Sequence, residues 1–184
     1  VVAAVERAQG PVVLVGHSAG GVTIGQTAER VPDAVEALVY VSAFLLDDGQ
    51  SLLDLAEGSA EGAALEQVVD EAAGVSRLVE GCMDEALYAD CSGADLALAK
   101  SLRRPEPLAP LGTPVDVSDE RFGSVPRAYV RCAGDRAITP ANQDRMLAAL
   151  PCDAVYGMET GHSPFLAAPG VLTDHLRSVP DDVA

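Results

Sequence analysis

The chain has 184 residues, 48% of them hydrophobic, and carries a formal net charge of −16. The length suits one globular domain. The acid excess repels phosphate backbones and anionic lipid, which argues against nucleic acid and membrane surfaces as partners. No apolar run reaches the length of a membrane span.

The first residues, "VVAAVERAQG", place Val1, Val2, Val5 and Ala8 on one helical face, with Gly10 ending the helix. "PVVLVG" is a Val-rich apolar run between Pro11 and Gly16, the pattern of a strand buried on both faces. A helix is predicted over Gly20 to Arg30, then a buried strand over Ala37 to Phe44. Further on, Arg127 to Gly134 predicts a strand and Pro140 to Leu150 a helix that starts with proline. Asp153 to Met158 predicts a shorter strand, and Gly170 to Ser178 a closing helix. This alternation implies an α/β fold with a parallel sheet. The interruption, residues 46–124, is rich in alanine and acids and shows no clear strand pattern. It is expected to be a helical insert with an acidic, solvated face, returning to the core through a proline-rich loop.

The four cysteines, Cys82, Cys91, Cys132 and Cys152, form no CxxC pair and stand at no zinc-ligand spacing. Reduced thiols in a cytoplasmic protein are expected, and neither a metal nor an organic cofactor is called for. The chain starts at Val1 rather than Met and reads as beginning within a longer protein, so a signal upstream is compatible with this sequence.

"VVLVGHSAGG" joins a predicted strand, G-x-S-x-G and a predicted helix. That context is much more specific than the five-residue motif. A nucleophile held there stands on a tight strand-to-helix turn, where side chains at Gly16 and Gly20 are expected to collide. Ser18 is the candidate nucleophile, and the backbone N–H of Ala19 the candidate oxyanion donor. A serine needs a histidine as base. His17 is adjacent to Ser18, but neighbouring side chains diverge on such a turn, so packing or a hydrogen bond near the turn suits it better. His175 falls in the closing helix. His162 follows the last predicted strand in "ETGHSPF", where parallel sheets hold their sites, and is the candidate base. Ser163 is left a local backbone role. The acid that orients the base comes between Ser and His in the chain order of this motif. Asp135, after the strand "RAYVRCA", is preferred, with Asp47 and Asp48 as competitors and Asp144 assigned to a solvated helix face.

The segments "LVGHSAGG", "AFLLDDGQS", "LYADCS", "RFGSVPRAYVRCAGDRAITP" and "TGHSPFLAAP" resemble the α/β-hydrolase superfamily. More narrowly they are similar to the branch of plant-type methyl esterases, hydroxynitrile lyases and bacterial esterase relatives. The resemblance implies a parallel sheet flanked by helices, with residues 46–124 as a small cap. It also implies an acid at Asp135 and a base at His162. Lyases of that branch use a lysine soon after the histidine; here Ser163, Pro164 and Phe165 follow, and Lys100 is the only lysine. Relatives also carry amino-terminal strands, one leading into a His-Gly segment, and this sequence has no His-Gly dipeptide.

The expected activity is hydrolysis of small hydrophobic carboxylic esters through Ser18, His162 and Asp135. Leu52, Leu53, Leu55 and Leu87 are expected either to line the pocket or to pack the cap. The alternatives are lyase chemistry on the same triad and a non-catalytic binding protein. The amino-terminal strands are expected from a longer polypeptide or a second chain, a homodimer included.

Overall fold

The computed structural model describes residues 1–57 and 65–183. Its core is a four-stranded sheet, all parallel, in the order β1-β2-β6-β7. The strands are β1 (Val12–Ser18), β2 (Val35–Ala43), β6 (Arg127–Cys132) and β7 (Ala154–Met158). Two crossovers are helical: α2 (Gly20–Arg30) joins β1 to β2, and α7 (Pro140–Ala149) joins β6 to β7. Thr139 caps α7 by accepting from the Asn142 N–H, and Pro140 follows at the first turn, where its missing N–H costs nothing.

Strand alternation divides the core between the two faces of the sheet. Leu38, Tyr40 and Tyr129 pack with Ile24 and Ala28 of α2 and Met146 of α7. Ala37, Val39, Val41, Ala128, Val130 and Cys132 face the other way, against Leu172 and Val179. These last two belong to α9 (Pro169–Asp182), which follows the short α8 (Pro164–Ala167). α9 runs past the predicted end and carries Pro180 inside its last turn.

Two expectations are corrected at the amino end. The first helix is a single turn, α1 (Val2–Val5), with only Val5 buried. β1 is not buried on both faces. It is an edge strand in this sheet, paired only with β2 among the described residues, and Val15 is 49% exposed.

The inserted segment is also corrected: it is not purely helical. It contains an antiparallel sheet of β3 (Gln67–Asp70), β4 (Val75–Leu78) and β5 (Glu106–Pro107), in that order. The segment also holds the short helices α3 (Leu52–Glu57), α4 (Glu80–Cys82), α5 (Gly93–Leu102) and α6 (Ala109–Gly112), and the turn Met83–Leu87 continues from α4 with π-helical geometry. Strands this short and mostly exposed bury too little to show a period-two pattern. Residues 58–64 of the predicted insert lie outside the described residues. Leu46, Leu52 and Val115 seat the segment against Ala19 and Val22 at the start of α2. Glu29, whose carboxylate accepts from the Ser118 N–H and hydroxyl and the Phe122 N–H, ties its far end to α2. Those bonds hold the Glu29 carboxyl below its usual range despite the opposing effect of desolvation.

Candidate active site

The chemistry-bearing residues gather where β1, β2, β6 and β7 end. β1 breaks into α2 at Ser18, whose φ is +53°, a conformation L residues avoid unless the surroundings enforce it. Glycines make that turn possible. A Cβ on Gly16 would stand 2.7 Å from the Gly20 carbonyl oxygen. The second steric glycine is not Gly20, whose Cβ would meet nothing within 4 Å, but Gly21, whose Cβ would run into the Phe44 backbone. Ala19 opens α2 with helical backbone angles and lines a cavity of about 270 Å³ with Gly20, Val22, Leu52, Pro110 and Leu111.

Asp135 and His162 meet as a buried pair. Each is 3% exposed, and His162 Nδ1 lies 2.8 Å from Asp135 Oδ2. With Nδ1 donating to the carboxylate, Nε2 is the nitrogen that can take a proton. The other carboxylate oxygen accepts from the backbone N–H groups of Ala137 (2.7 Å) and Ile138 (3.0 Å). The Ser42 hydroxyl donates to Oδ2 as well. The loops that carry the pair are themselves tied together, the Gly134 N–H donating to the Thr160 carbonyl at 2.9 Å.

His17 brings the serine's strand to the base. Its ring stands 4.6 Å from that of His162, and its Nε2 lies 2.7 Å from the His162 carbonyl oxygen. Burial, then the neighbouring charge of His162, lowers its pKa from 6.5 to about 4. His17 is therefore neutral at pH 7 and donates from Nε2. The Ser18 hydroxyl makes no hydrogen bond among the described residues, so its position is set by the backbone of the turn.

The competing acids lie elsewhere. Asp47 borders a separate groove of about 200 Å³ with Leu45, Leu55 and Arg145, and Asp48 accepts the Val117 N–H at 3.1 Å. Asp144 is held below the usual carboxylate range by a two-point bond with Arg131 (2.6 and 2.8 Å). His175 stacks on Tyr156, their centroids 4.9 Å apart. The Ser163 carbonyl accepts the Leu166 and Ala167 N–H groups at the start of α8. Of the predicted pocket leucines, Leu52 lines the cavity beside Ala19, Leu55 borders the other groove, Leu53 is half exposed and Leu87 sits in the turn after α4. The thiols offer no rival nucleophile in the core: burial pushes Cys132 up to about 11 and Cys152 up to about 12.

Two participants escaped the sequence reading. Ser42 left only a faint signal, a polar residue inside the apolar run "ALVYVSAF". Asp90 left none. It reaches from the inserted segment to accept the Gly161 N–H at 2.6 Å, directly before His162. Among the described residues no group of three or more His, Cys, Asp or Glu side chains is placed to hold a metal ion, and no helix is long and apolar enough to cross a membrane.

Residues 1–174 match the family described as the alpha/beta hydrolase family. Methylesterase 2 of Arabidopsis thaliana is 33% identical over 183 residues, covering 93% of this chain and 70% of the relative. Polyneuridine aldehyde esterase of Rauvolfia serpentina is 31% identical over 183 residues, with 92% and 69% covered. Other curated relatives are longer, and the chain spans about half their length. A crystal structure of polyneuridine aldehyde esterase superposes with a TM-score of 0.82 at 26% identity, covering 96% of this chain and 75% of that one. That of a pyrethroid hydrolase from Sphingobium faniae JZ-2 gives 0.86 at 25% identity, covering 97% and 74%. With the family match over residues 1–174, relatives at 31–33% identity and the fold shared with these structures, the chain belongs to the alpha/beta hydrolase family.

Proposed function

We propose that the protein hydrolyses small carboxylic esters through a Ser18–His162–Asp135 triad and an acyl-enzyme. The observation that carries this reading is the buried Asp135–His162 pair, joined through Nδ1, with the His162 ring 4.6 Å from that of His17, the residue before a serine held at φ +53°. Ser18 Oγ attacks the ester carbonyl carbon while His162 Nε2 takes its proton. Asp135 fixes the tautomer and stabilises the imidazolium. The Ala19 N–H meets the oxyanion. The C–O bond to the alcohol breaks as His162 returns the proton to the departing oxygen. Water, deprotonated by the same nitrogen, then attacks the acyl carbon, and Ser18 leaves with its proton restored. No step requires a metal or cofactor.

The inserted segment serves as a cap in this reading. The cavity between it and Ala19 is lined mainly by apolar and small side chains and suits a compact apolar group. Relatives named as methylesterases support the ester as substrate class. The lysine soon after the histidine that lyases of this branch use is missing here, and Lys100, the chain's only lysine, is bound to Asp84 at 2.9 Å within the cap. Four free thiols support a reducing compartment such as the cytoplasm. The bare outer edge of β1 and the exposed Val15 support its being covered in the working protein, by strands of the same polypeptide or a second chain.

A fluorophosphonate probe tests the reading. Labelling and ester turnover are expected in the parent protein and in Ser163→Ala, and neither in Ser18→Ala. Labelling that survives Ser18→Ala overturns the assignment, and a folded parent that never labels favours a non-catalytic binding protein.

A further inference from the structure

Two described non-glycine residues have positive φ: Ser18 at 53° and Ser42 at 38°. They stand at the same end of neighbouring strands. The pairing of β1 with β2 runs Gly16 with Tyr40 and His17 with Val41, then jumps to Ser18 with Ala43. Ser42 is therefore the extra residue of a bulge. Simple alternation would put position 42 on the face of Leu38 and Tyr40, but Ala43 takes that place in the core. The bulge turns Ser42 away from that face. Its side chain is fully buried, neighbours the Cys132 thiol and donates its hydroxyl to Asp135 Oδ2. Bulges beside sites re-aim side chains, and strain of this kind persists where the surroundings enforce it.

We propose that Ser42 is a positioning residue for Asp135: its hydroxyl holds Oδ2 in line with His162 Nδ1 and limits the negative charge the imidazole feels. The proposal rests on the triad reading above. The Ala137 and Ile138 amides anchor Oδ1 alone, so without Ser42 the carboxylate keeps freedom to pivot about that oxygen. Oδ2 accepts from Ser42 and His162 together. A second donor on an anionic oxygen spreads its charge, so removing that donor leaves more charge for His162 and raises its affinity for a proton. The other titratable groups facing the pair are His17 from β1, Tyr129 and Cys132 from β6, and Asp90 from the inserted segment.

The deciding variant is Ser42→Gly, because glycine accepts the positive φ and keeps the bulge. With a neutral ester as substrate, kcat is expected to fall about ten- to a hundredfold with KM nearly unchanged. The acid limb of the kcat/KM profile is expected to move up by about half to one pH unit. The His162 Nδ1 proton resonance of the resting protein should shift as the geometry and charge of its Oδ2 partner change, a readout independent of turnover. In an Asp135→Asn background, Ser42→Gly should have no further effect on kcat. If Ser42→Gly only lowers stability, with the acid limb and the resonance unmoved, Ser42 is packing and the proposal fails. If Asp135→Asn itself leaves turnover intact, the triad reading is what fails.

Discussion

The candidate site has two halves, the Asp135–His162 pair and the Ser18 turn, and they are built by different means. Asp135 and His162 follow β6 and β7 and are almost fully buried, Asp135 held by four hydrogen bonds and His162 by its bonds to Asp135 and His17. Ser18 stands at the end of an edge strand, held by a strained backbone and two glycines rather than by bonds to its side chain. Chemistry explains the contrast. A carboxylate removed from water needs donors to remain charged, and an imidazole works only when the correct nitrogen is turned outward. A nucleophile needs an unencumbered oxygen, so its position is better set by backbone than by partners.

The harshest test of the bonded half is Asp135→Asn. The amide offers one acceptor where the carboxylate offers two oxygens to four donors, and its NH2 group confronts N–H donors. His162 then loses its preferred tautomer, and kcat is expected to fall by about 10⁴ with the fold retained. Steady-state kinetics with a circular-dichroism control reads this directly. An effect below tenfold would remove the contrast between the halves.

Much of this arrangement was legible in the sequence, and what was not has physical causes. The parallel strands announced themselves because both faces of β2 and β6 are buried, so their residues read as unbroken apolar runs. The same run at β1 misled: "PVVLVG" reads as interior, yet its neighbour on one side is absent from this sheet. Chain order and strand ends led to Asp135 and His162 without knowledge of distances. Gly21 was overlooked because the motif draws the eye to Gly20, whereas the clash that matters is with Phe44, far along the chain. Asp90 and the small sheet β3–β4–β5 depend on contacts between distant segments that no local period reports.

The joint between the halves has a pH signature. His17 is held neutral in the folded protein, with its pKa lowered to about 4, mainly by burial. Unfolded, it protonates near 6.5. Between these values the unfolded state binds more protons, so stability falls as pH drops through that window. The part due to His17 is fully present above pH 6.5 and lost below about 4, and amounts to about 3 kcal/mol. Denaturant midpoints measured from pH 7 to 4 should therefore fall more steeply in the parent than in His17→Asn. Equal slopes would mean His17 does not join the halves as a buried neutral donor.

For the strained half, Gly16→Ala and Gly21→Ala are expected to cost about 1–3 kcal/mol each by overpacking against backbone. Gly20→Ala, with open space around its Cβ, should be close to neutral in stability. Thermal melts of the three variants compare them, and a Gly20→Ala as damaging as the others would contradict the turn's geometry. Amide exchange offers a milder check. The β1 amides should exchange faster than those of β2 from Leu38 to Val41, which are buried on both faces.

The smallest effect expected is at Asp90, and it asks how far the bonded half extends. Its carboxylate accepts the Gly161 N–H at 2.6 Å and occupies the space a side chain on residue 161 would need. Asp90 belongs to the inserted segment, so the loop of His162 is braced from outside the sheet. The Arg136 side chain makes a second, longer link from the acid's loop to the Glu85 carbonyl, at 3.4 Å. Asp90 is exposed, and solvent can replace part of what it supplies. Asp90→Ala is accordingly expected to lower kcat only about three- to tenfold, the size of one solvent-accessible hydrogen bond. Asp90→Asn keeps an oxygen that can accept the same N–H and should recover most of the loss. That recovery separates a role in aiming His162 from one that depends on negative charge. If the asparagine variant is as slow as the alanine variant, the charge of Asp90 is what matters, and the brace argued from the Gly161 bond is wrong.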